Sequence, residues 1–175
     1  MISYFERIKL LQEELNSSPA LIHNISEGSP EQPIRLDLFD SLVTDWELKK
    51  TVEKLFRDGH HARAVEEAYK FLDNLVKKAA GTESSLTGAK LMTTVFSPAN
   101  PILRINSGAT MSEEDEQKGY MQILSGCMTG IRNPRAHEHE WEDTEFRALQ
   151  LLSLANHLVQ RVRDSHKSSS ATSDD

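Results

Sequence analysis

The side chains best suited to chemistry in this sequence lie in one short stretch that contains a proline. Arg132 carries a planar fork of hydrogen-bond donors that suits a phosphate, and it keeps its charge at any physiological pH. His137 can exchange protons near neutral pH, and Asn133 can orient either neighbour through its amide. Together these residue types suit phosphodiester chemistry.

The spacing of these residues requires a change in the backbone. On an uninterrupted α-helix, Arg132 and His137 would lie about 140° apart around the axis, too far to share a substrate. Pro134 lacks an N–H and disfavours helical geometry at Asn133, so we predict that the helix ends or kinks there. Asn133 would then cap a new turn that opens with Pro134. Such a kink would bring the three side chains to one opening.

The pattern Arg-Asn-x-x-x-His, followed by an acidic run, resembles the signature of the HEPN superfamily of helical nucleotide-binding proteins and ribonucleases. Other stretches follow one another as in the Ymh family, a group of prophage- and defence-associated HEPN-like proteins. These stretches are Leu55-Phe56-Arg57-Asp58-Gly59-His60, Ala64-Val65-Glu66-Glu67-Ala68, Gly88-Ala89-Lys90-Leu91-Met92, Asp115-Glu116-Gln117-Lys118-Gly119 and Gly130 to His137. The resemblance covers roughly residues 38 to 163.

The resemblance implies a metal-independent endoribonuclease in a prophage or phage-defence setting, where it would act as a toxin in abortive infection. In such an enzyme the ribose 2′-hydroxyl attacks the adjacent phosphate and leaves a 2′,3′-cyclic phosphate and a 5′-hydroxyl. Arg132, Asn133 and His137 would be the catalytic residues, and Arg132 and Arg135 would contact RNA. No cofactor is expected. The implied partners are RNA, a second copy of the chain and a neutralising protein.

The alternative belongs to a different class: a non-catalytic HEPN-like module that binds a nucleotide or a protein in a defence system. A metal site is a further alternative, because the run from His137 to Glu140 alternates imidazole and carboxylate side chains. Such alternation on a polar loop is weakly specific, and we predict no metal. His60 and His61 would join these ligands only if the fold placed their helix beside the loop. We expect them to form an exposed helix start.

Hydrophobic periodicity predicts an all-α fold, a HEPN-like helical bundle with at most a small strand or hairpin near residues 102–105. The predicted helices are 2–15, one that Thr44 or Asp45 caps and Gly59 ends, 61–79 closed by Gly81, 88–96, one that begins at Ser112 and carries the motif, and one that Thr144 caps. The helix over 61–79 has the most regular apolar stripe and is the predicted centre of the core.

The domain organisation follows from changes in composition along the chain. Residues 1–37 are predicted to form an amphipathic helix and a linker, and residues 38–163 the helical domain. Residues 164–175 are largely Ser, Thr, Asp and Lys, which predicts a disordered tail.

A stripe of small residues lies on the helix that leads into the motif. Gly119, Ile123, Gly126 and Gly130 are spaced at i, i+4, i+7 and i+11. Each glycine costs a helix about 1 kcal/mol relative to alanine, so the stripe needs a reason. It predicts either a tight contact within the chain or a seam between two copies. The family resemblance favours the homodimer, with these four residues in the interface.

Composition limits the remaining possibilities. The chain of 175 residues contains one cysteine, Cys127, which excludes an intramolecular disulfide and suits a reducing compartment. No stretch has the length and apolar character of a membrane span, so we expect a soluble, cytoplasmic protein with no membrane partner. The net charge of −7 argues against general, charge-driven binding of nucleic acid. Any contact with RNA must therefore come from a local basic site.

Overall fold

The structure, a computed structural model, describes residues 37–81, 85–138 and 140–167. These residues form an all-α bundle with two very short strands, which confirms the predicted fold class. The helices are α1 (Leu38–Leu42), α2 (Trp46–Arg57), α3 (His61–Ala80), α4 (Gly88–Val95), α5 (Met111–Cys127), α6 (Asn133–His137) and α7 (Glu145–Asp164). A π-helical turn over Met128–Arg132 joins α5 to α6. The amphipathic helix predicted for residues 2–15 lies outside the described residues, and the proposed division into domains stays a prediction.

The centre of the bundle is α3, as its apolar stripe predicts. Its side chains at Val65, Ala68, Tyr69, Leu72 and Val76 are fully buried. It packs against α2, α4 and α7, and also against the π-helical turn and α6. Helix α3 therefore supports the motif-bearing segment from the core side. No helix in the described part of the chain has the length and apolar character needed to cross a membrane.

Several helix ends carry the predicted caps. Asp45 accepts a hydrogen bond from the Leu48 N–H at 3.0 Å, and Thr144 accepts one from the Arg147 N–H at 3.2 Å. Gly81 ends α3 with a φ of 67°, a left-handed conformation that glycine adopts without strain. Local chemistry thus determines where α2, α3 and α7 begin or end.

The start of α5 differs from the prediction. Thr110 is the cap, instead of Ser112, and it accepts a hydrogen bond from the Glu113 N–H at 3.2 Å. The carboxylate of Glu113 accepts in return from the Ala109 N–H at 2.6 Å. Thr110 and Glu113 have the spacing of a capping box, just as Ser112 and Asp115 do. The earlier pair takes this role and starts the helix at Met111.

The small strand predicted near residues 102–105 is present as β1 (Leu103–Arg104). It pairs antiparallel with β2 (His166–Lys167), in which Leu103 is opposite Lys167. The helical domain thus extends slightly beyond its predicted end at residue 163, because Asp164 still belongs to α7 and residues 166–167 form a strand. Backbone pairing, which leaves no apolar pattern in the sequence, accounts for this. Residues 168–175 lie outside the described residues.

Candidate functional site

The backbone through the motif does not break at Pro134. The π-helical turn continues directly into α6, and Asn133 has helical angles (φ −61°, ψ −44°), so it does not cap a new turn as predicted. The Asn133 N–H bonds the Met128 carbonyl, five residues back. A π-turn is wider than an α-turn and shifts the hydrogen-bond register by one residue, which leaves room for a proline ring that has no N–H to donate. The helix therefore accommodates Pro134 instead of ending before it.

Because the helix is continuous, its geometry sets the direction in which each motif side chain points. Arg132 has helical angles (φ −69°, ψ −51°), and residues 133–137 are α-helical. Arg132 and His137 thus remain about 140° apart around the axis. Asn133 and His137, four residues apart, share a face. The backbone of one chain therefore does not turn Arg132 and His137 to the same face of the helix.

Arg132 nevertheless has an unusual environment. It is half-buried, and its Nε is buried without a hydrogen-bond partner in the described part of the chain. Its guanidinium also forms no ion pair with a carboxylate among the described residues. His137 is exposed and Asn133 is half-buried. The motif thus offers an uncommitted cation and an accessible imidazole on one short helical segment.

Arg135, which was predicted to contact RNA, has a structural role in the described chain. Its Nε and one terminal nitrogen donate to the two carboxylate oxygens of Asp143 at 2.6 and 2.8 Å. The other terminal nitrogen donates to the Ile131 carbonyl at 2.7 Å. The side chains of Arg135 and Asp143 are only 4% and 0% exposed. Three of the five N–H groups of this guanidinium are bonded within the chain, and the side chain is almost fully buried, so Arg135 mainly holds the loop, and its contact with RNA stays a prediction.

Asp143 and Trp141 are the residues of this region that the sequence analysis did not single out. Both lie in the acidic loop, defined here as residues 138–144. The Arg135 guanidinium lies 5.4 Å from the centre of the Trp141 ring. A lone tryptophan within a polar run is the signal that the sequence offers. Asp143 gives no such signal, because its neighbours in sequence are also acidic.

A cavity of about 450 Å³ lies between the start of α3 and the acidic loop. We call it the His60 cavity. It is lined by Gly59, His60, His61, Ala62, Arg63, Glu140, Trp141, Glu142 and Asp143. The fold therefore does bring the histidines at the start of α3 beside the loop that follows the motif. Among the residues that the structure describes, no three histidine, cysteine or acidic side chains are grouped so as to hold a metal. His139 is not among those residues.

The glycine stripe is open on its own chain. A β-carbon added at Gly119, Gly126 or Gly130 would meet no other described atom within 4 Å. Gly126 and Gly130 are exposed, and Ile123 is 45% exposed. A tight contact within the described chain therefore does not explain the stripe. The predicted interface with a second copy stays a prediction.

The remaining nucleophile of the region, Cys127, lies in the core just before the π-helical turn. Burial raises the pKa of its thiol, and a hydrogen bond from Tyr69 only partly offsets this effect. Because the thiolate is the reactive form, the structure disfavours Cys127 as a nucleophile. This leaves His137 and Arg132 as the reactive groups of the segment.

Comparison with known proteins gives one family and no closer relative. A family model described as "Protein of unknown function (Hypoth_ymh)" matches residues 43–162, which include α2 to α6, all but the last two residues of α7, and the whole motif. No curated protein and no solved structure matches the chain. The match covers more than half of the sequence, and the chain therefore belongs to the Ymh family.

Proposed function

We propose that this chain is a metal-independent endoribonuclease of the HEPN type that acts as a homodimer. The observation that supports this most is the state of Arg132. Five other arginines of the described chain are bound to carboxylates: Arg57, Arg63, Arg135, Arg161 and Arg163. Arg104, Arg132 and Arg147 form no ion pair among the described residues, and of these three only Arg132 has a buried Nε without a hydrogen-bond partner and lies in the same helical segment as an exposed imidazole. An uncommitted guanidinium fork is suited to a phosphate that arrives from outside.

In the proposed reaction, His137 takes the proton from a ribose 2′-hydroxyl as that oxygen attacks the adjacent phosphorus. The bond from phosphorus to the 5′-oxygen breaks, and a proton returned to that oxygen gives a 5′-hydroxyl and a 2′,3′-cyclic phosphate. Arg132 binds the phosphate oxygens and stabilises their developing charge. Asn133 shares a helix face with His137 and orients its imidazole.

A second protomer would supply the His137 that Arg132 of the same chain does not face. Because the two side chains point about 140° apart on one helix, a phosphate held by Arg132 of one chain would meet His137 of the other. A face-to-face dimer would form such a composite site. The exposed glycine stripe of α5 leads directly into the motif and would allow two such helices to approach closely. Two arginines at one cleft would also offset the acidic surface locally.

A second function is favoured by the same geometry if no dimer forms. With Arg132 and His137 on different faces, and with Glu138 exposed next to His137, one protomer offers a binding surface more readily than a catalytic site. The chain would then be a non-catalytic module of a defence system that binds a nucleotide or a protein. A neighbouring gene that encodes a neutralising partner would instead support the proposal that the chain is a ribonuclease toxin.

The test of the proposed function is cleavage of labelled RNA in the presence of EDTA. We expect fragments that end in a cyclic phosphate. His137→Ala should lower the rate by roughly 10²- to 10⁴-fold, the usual contribution of positioned acid–base catalysis, while helical content is retained. His166→Ala is the matched control, since His166 is exposed and lies outside the motif. Unchanged cleavage by His137→Ala would remove the motif from the mechanism and favour the binding module.

Arg132→Lys distinguishes a bound phosphate from a general positive field. Lysine keeps the charge but loses the planar fork, so the variant should fall at least about tenfold below wild type if Arg132 grips a phosphate. Arg147→Lys is the control, because Arg147 is exposed and forms no ion pair in the described part of the chain. Equal activity of both variants with wild type would contradict the role of Arg132.

A further inference from the structure

The His60 cavity is connected to the motif through the short helix α6. Asp143 lines the cavity and is bonded to Arg135, which belongs to α6 together with His137. The volume of about 450 Å³ is within the range of roughly 300–1,000 Å³ that is typical of sites for small ligands. A nucleotide next to a phosphate held at the motif would therefore have a cavity of suitable size within reach.

The charges around the cavity decide which part of a nucleotide it would take. Arg63 is bonded to Glu66 at 2.6 Å and to Glu67 at 2.7 Å. The charge of Asp143 is likewise matched by Arg135. Glu140 and Glu142 form no ion pair within the described part of the chain. His60 and His61 also line the cavity and, counted as neutral at pH 7, add ring nitrogens that can donate or accept hydrogen bonds. The two uncompensated carboxylates repel a phosphate and accept hydrogen bonds from uncharged N–H donors.

The shape of the lining indicates an aromatic ligand. Trp141 lines the cavity and is 38% exposed, so part of its ring is available to stack. His61, Ala62 and Arg63 of α3 also line the cavity; α3 begins there without a side-chain cap, and the backbone N–H groups of these three residues have no partner within the helix. The cavity thus combines a stacking surface, carboxylate acceptors and backbone donors. Single-stranded RNA is read by these means, through stacking on aromatic side chains and hydrogen bonds to base edges.

We infer that the His60 cavity is a nucleobase subsite that selects bases with amino donors, guanine first, through Trp141, Glu140 and Glu142. Guanine presents adjacent imino and amino donors to a single carboxylate, and its carbonyl can accept from the N–H groups of α3. Uracil has no amino group and would leave a carboxylate unpaired. The role of this subsite in RNA cleavage rests on the proposed function, whereas its ability to bind a base does not.

The experiment is a titration of Trp141 fluorescence with nucleosides. The sequence contains two tryptophans, and Trp46 is 68% exposed, so Trp46→Phe leaves Trp141 as the only reporter in a folded protein. Guanosine is the probe because it carries no phosphate. We expect a saturable change with guanosine and at least about tenfold weaker binding of uridine. Inorganic phosphate should not compete.

Two variants in the same background locate the binding. Glu140→Gln combined with Glu142→Gln should weaken guanosine binding at least about tenfold, because the amide cannot accept from both donors as a carboxylate does. Glu138→Gln, on the same loop but outside the cavity lining, should bind as before. No saturable change up to millimolar guanosine, equal binding of uridine, or an unaffected double variant would each overturn the inference.

His137→Ala separates this inference from the proposed function. The variant should bind guanosine normally, because His137 does not line the cavity. If guanosine binds and RNA is never cleaved, the subsite stands and the ribonuclease fails. If RNA is cleaved and guanosine does not bind, the subsite fails and the ribonuclease stands.

Discussion

The buried ion pair between Arg135 and Asp143 connects the motif to the loop that follows it. The same guanidinium bonds the Ile131 carbonyl, next to Arg132, and both oxygens of Asp143. It therefore fixes the end of the π-helical turn and one wall of the His60 cavity at once. Buried pairs of this kind contribute little net stability compared with apolar residues, but the loss of one partner leaves an uncompensated charge.

Asp143→Ala should therefore destabilise the protein strongly. With Arg135 only 4% exposed, we expect a loss of about 3–5 kcal/mol in the free energy of unfolding. Urea denaturation followed by circular dichroism measures this loss. Asp115→Ala is the control, since Asp115 is exposed, and it should stay within about 0.5 kcal/mol of wild type. The proposed structural role would be wrong if the two variants had the same stability.

Candidate residues could be chosen from the sequence more easily than their partners. Arg132 and His137 are recognisable from residue type and spacing, because those properties are local. The engagement of Arg135 depends on Asp143, eight positions later, which reaches it only after the acidic loop has folded back. In the sequence nothing indicates a partner for Arg135, and only the fold shows that Asp143 binds its guanidinium.

At the scale of elements, the start of α2 is linked to the end of α7 by a small polar network. Asp45 caps α2 and also accepts two hydrogen bonds from Arg163 of α7, at 2.6 and 3.2 Å. The buried side chain of Asn156 accepts from the Thr44 and Asp45 N–H groups at 3.0 and 2.8 Å. These bonds hold two long helices at one end of the bundle, away from the motif.

This network predicts a dependence of stability on pH. Burial by itself would raise the pKa of Asp45, but the hydrogen bonds from Arg163 and the Leu48 N–H outweigh burial and hold the pKa below its ordinary value of 3.8. A folded-state pKa below the unfolded one means that the carboxylate stabilises the fold above about pH 4. The contribution is then lost as pH falls through the folded-state pKa.

Asp45→Asn isolates this contribution, because asparagine still caps a helix but carries no charge to bond Arg163. The variant should be less stable than wild type at pH 7, and the difference should shrink as pH falls from roughly 5 to 2. Urea denaturation at several pH values measures it. A difference that stays constant over this range would show that the charge of Asp45 does not matter.

The elements also show where prediction from sequence stops. Helices α2, α3 and α7 were predictable because apolar periodicity and caps are local signals. The π-helical turn was not, because Pro134 permits either a break or a wider turn, and packing against α3 decides between them. The strand at His166–Lys167 has no side-chain pattern and exists only because β1 presents its backbone there.

For the whole molecule, charge and association are connected. A chain with a net charge of −7 repels RNA in general, so a ribonuclease built on it needs its cations concentrated at one place. Two copies that meet along α5 would bring two motifs together, each with an uncommitted Arg132. In the part of one chain that the structure describes, the motif is instead followed by the exposed Glu138 and Glu140.

The last prediction is that the protein is a homodimer, and the variant Gly126→Leu tests it. Gly126 is exposed, and a β-carbon added there meets no described atom within 4 Å outside its own stretch of helix backbone, so we expect leucine to be tolerated in the monomer. Replacing a helical glycine should even favour the helix, by up to about 1 kcal/mol. In a close-packed seam, however, the same leucine would hold the two helices apart.

Sedimentation velocity at micromolar concentration should thus show a wild-type dimer and a predominantly monomeric, fully helical Gly126→Leu variant. Asn74→Leu, which adds the same side chain at an exposed position of α3, should remain dimeric. RNA cleavage should fall with dimerisation in Gly126→Leu, because the composite site requires both chains. A wild-type monomer would contradict the seam, and an active monomeric variant would show that one chain contains the whole site.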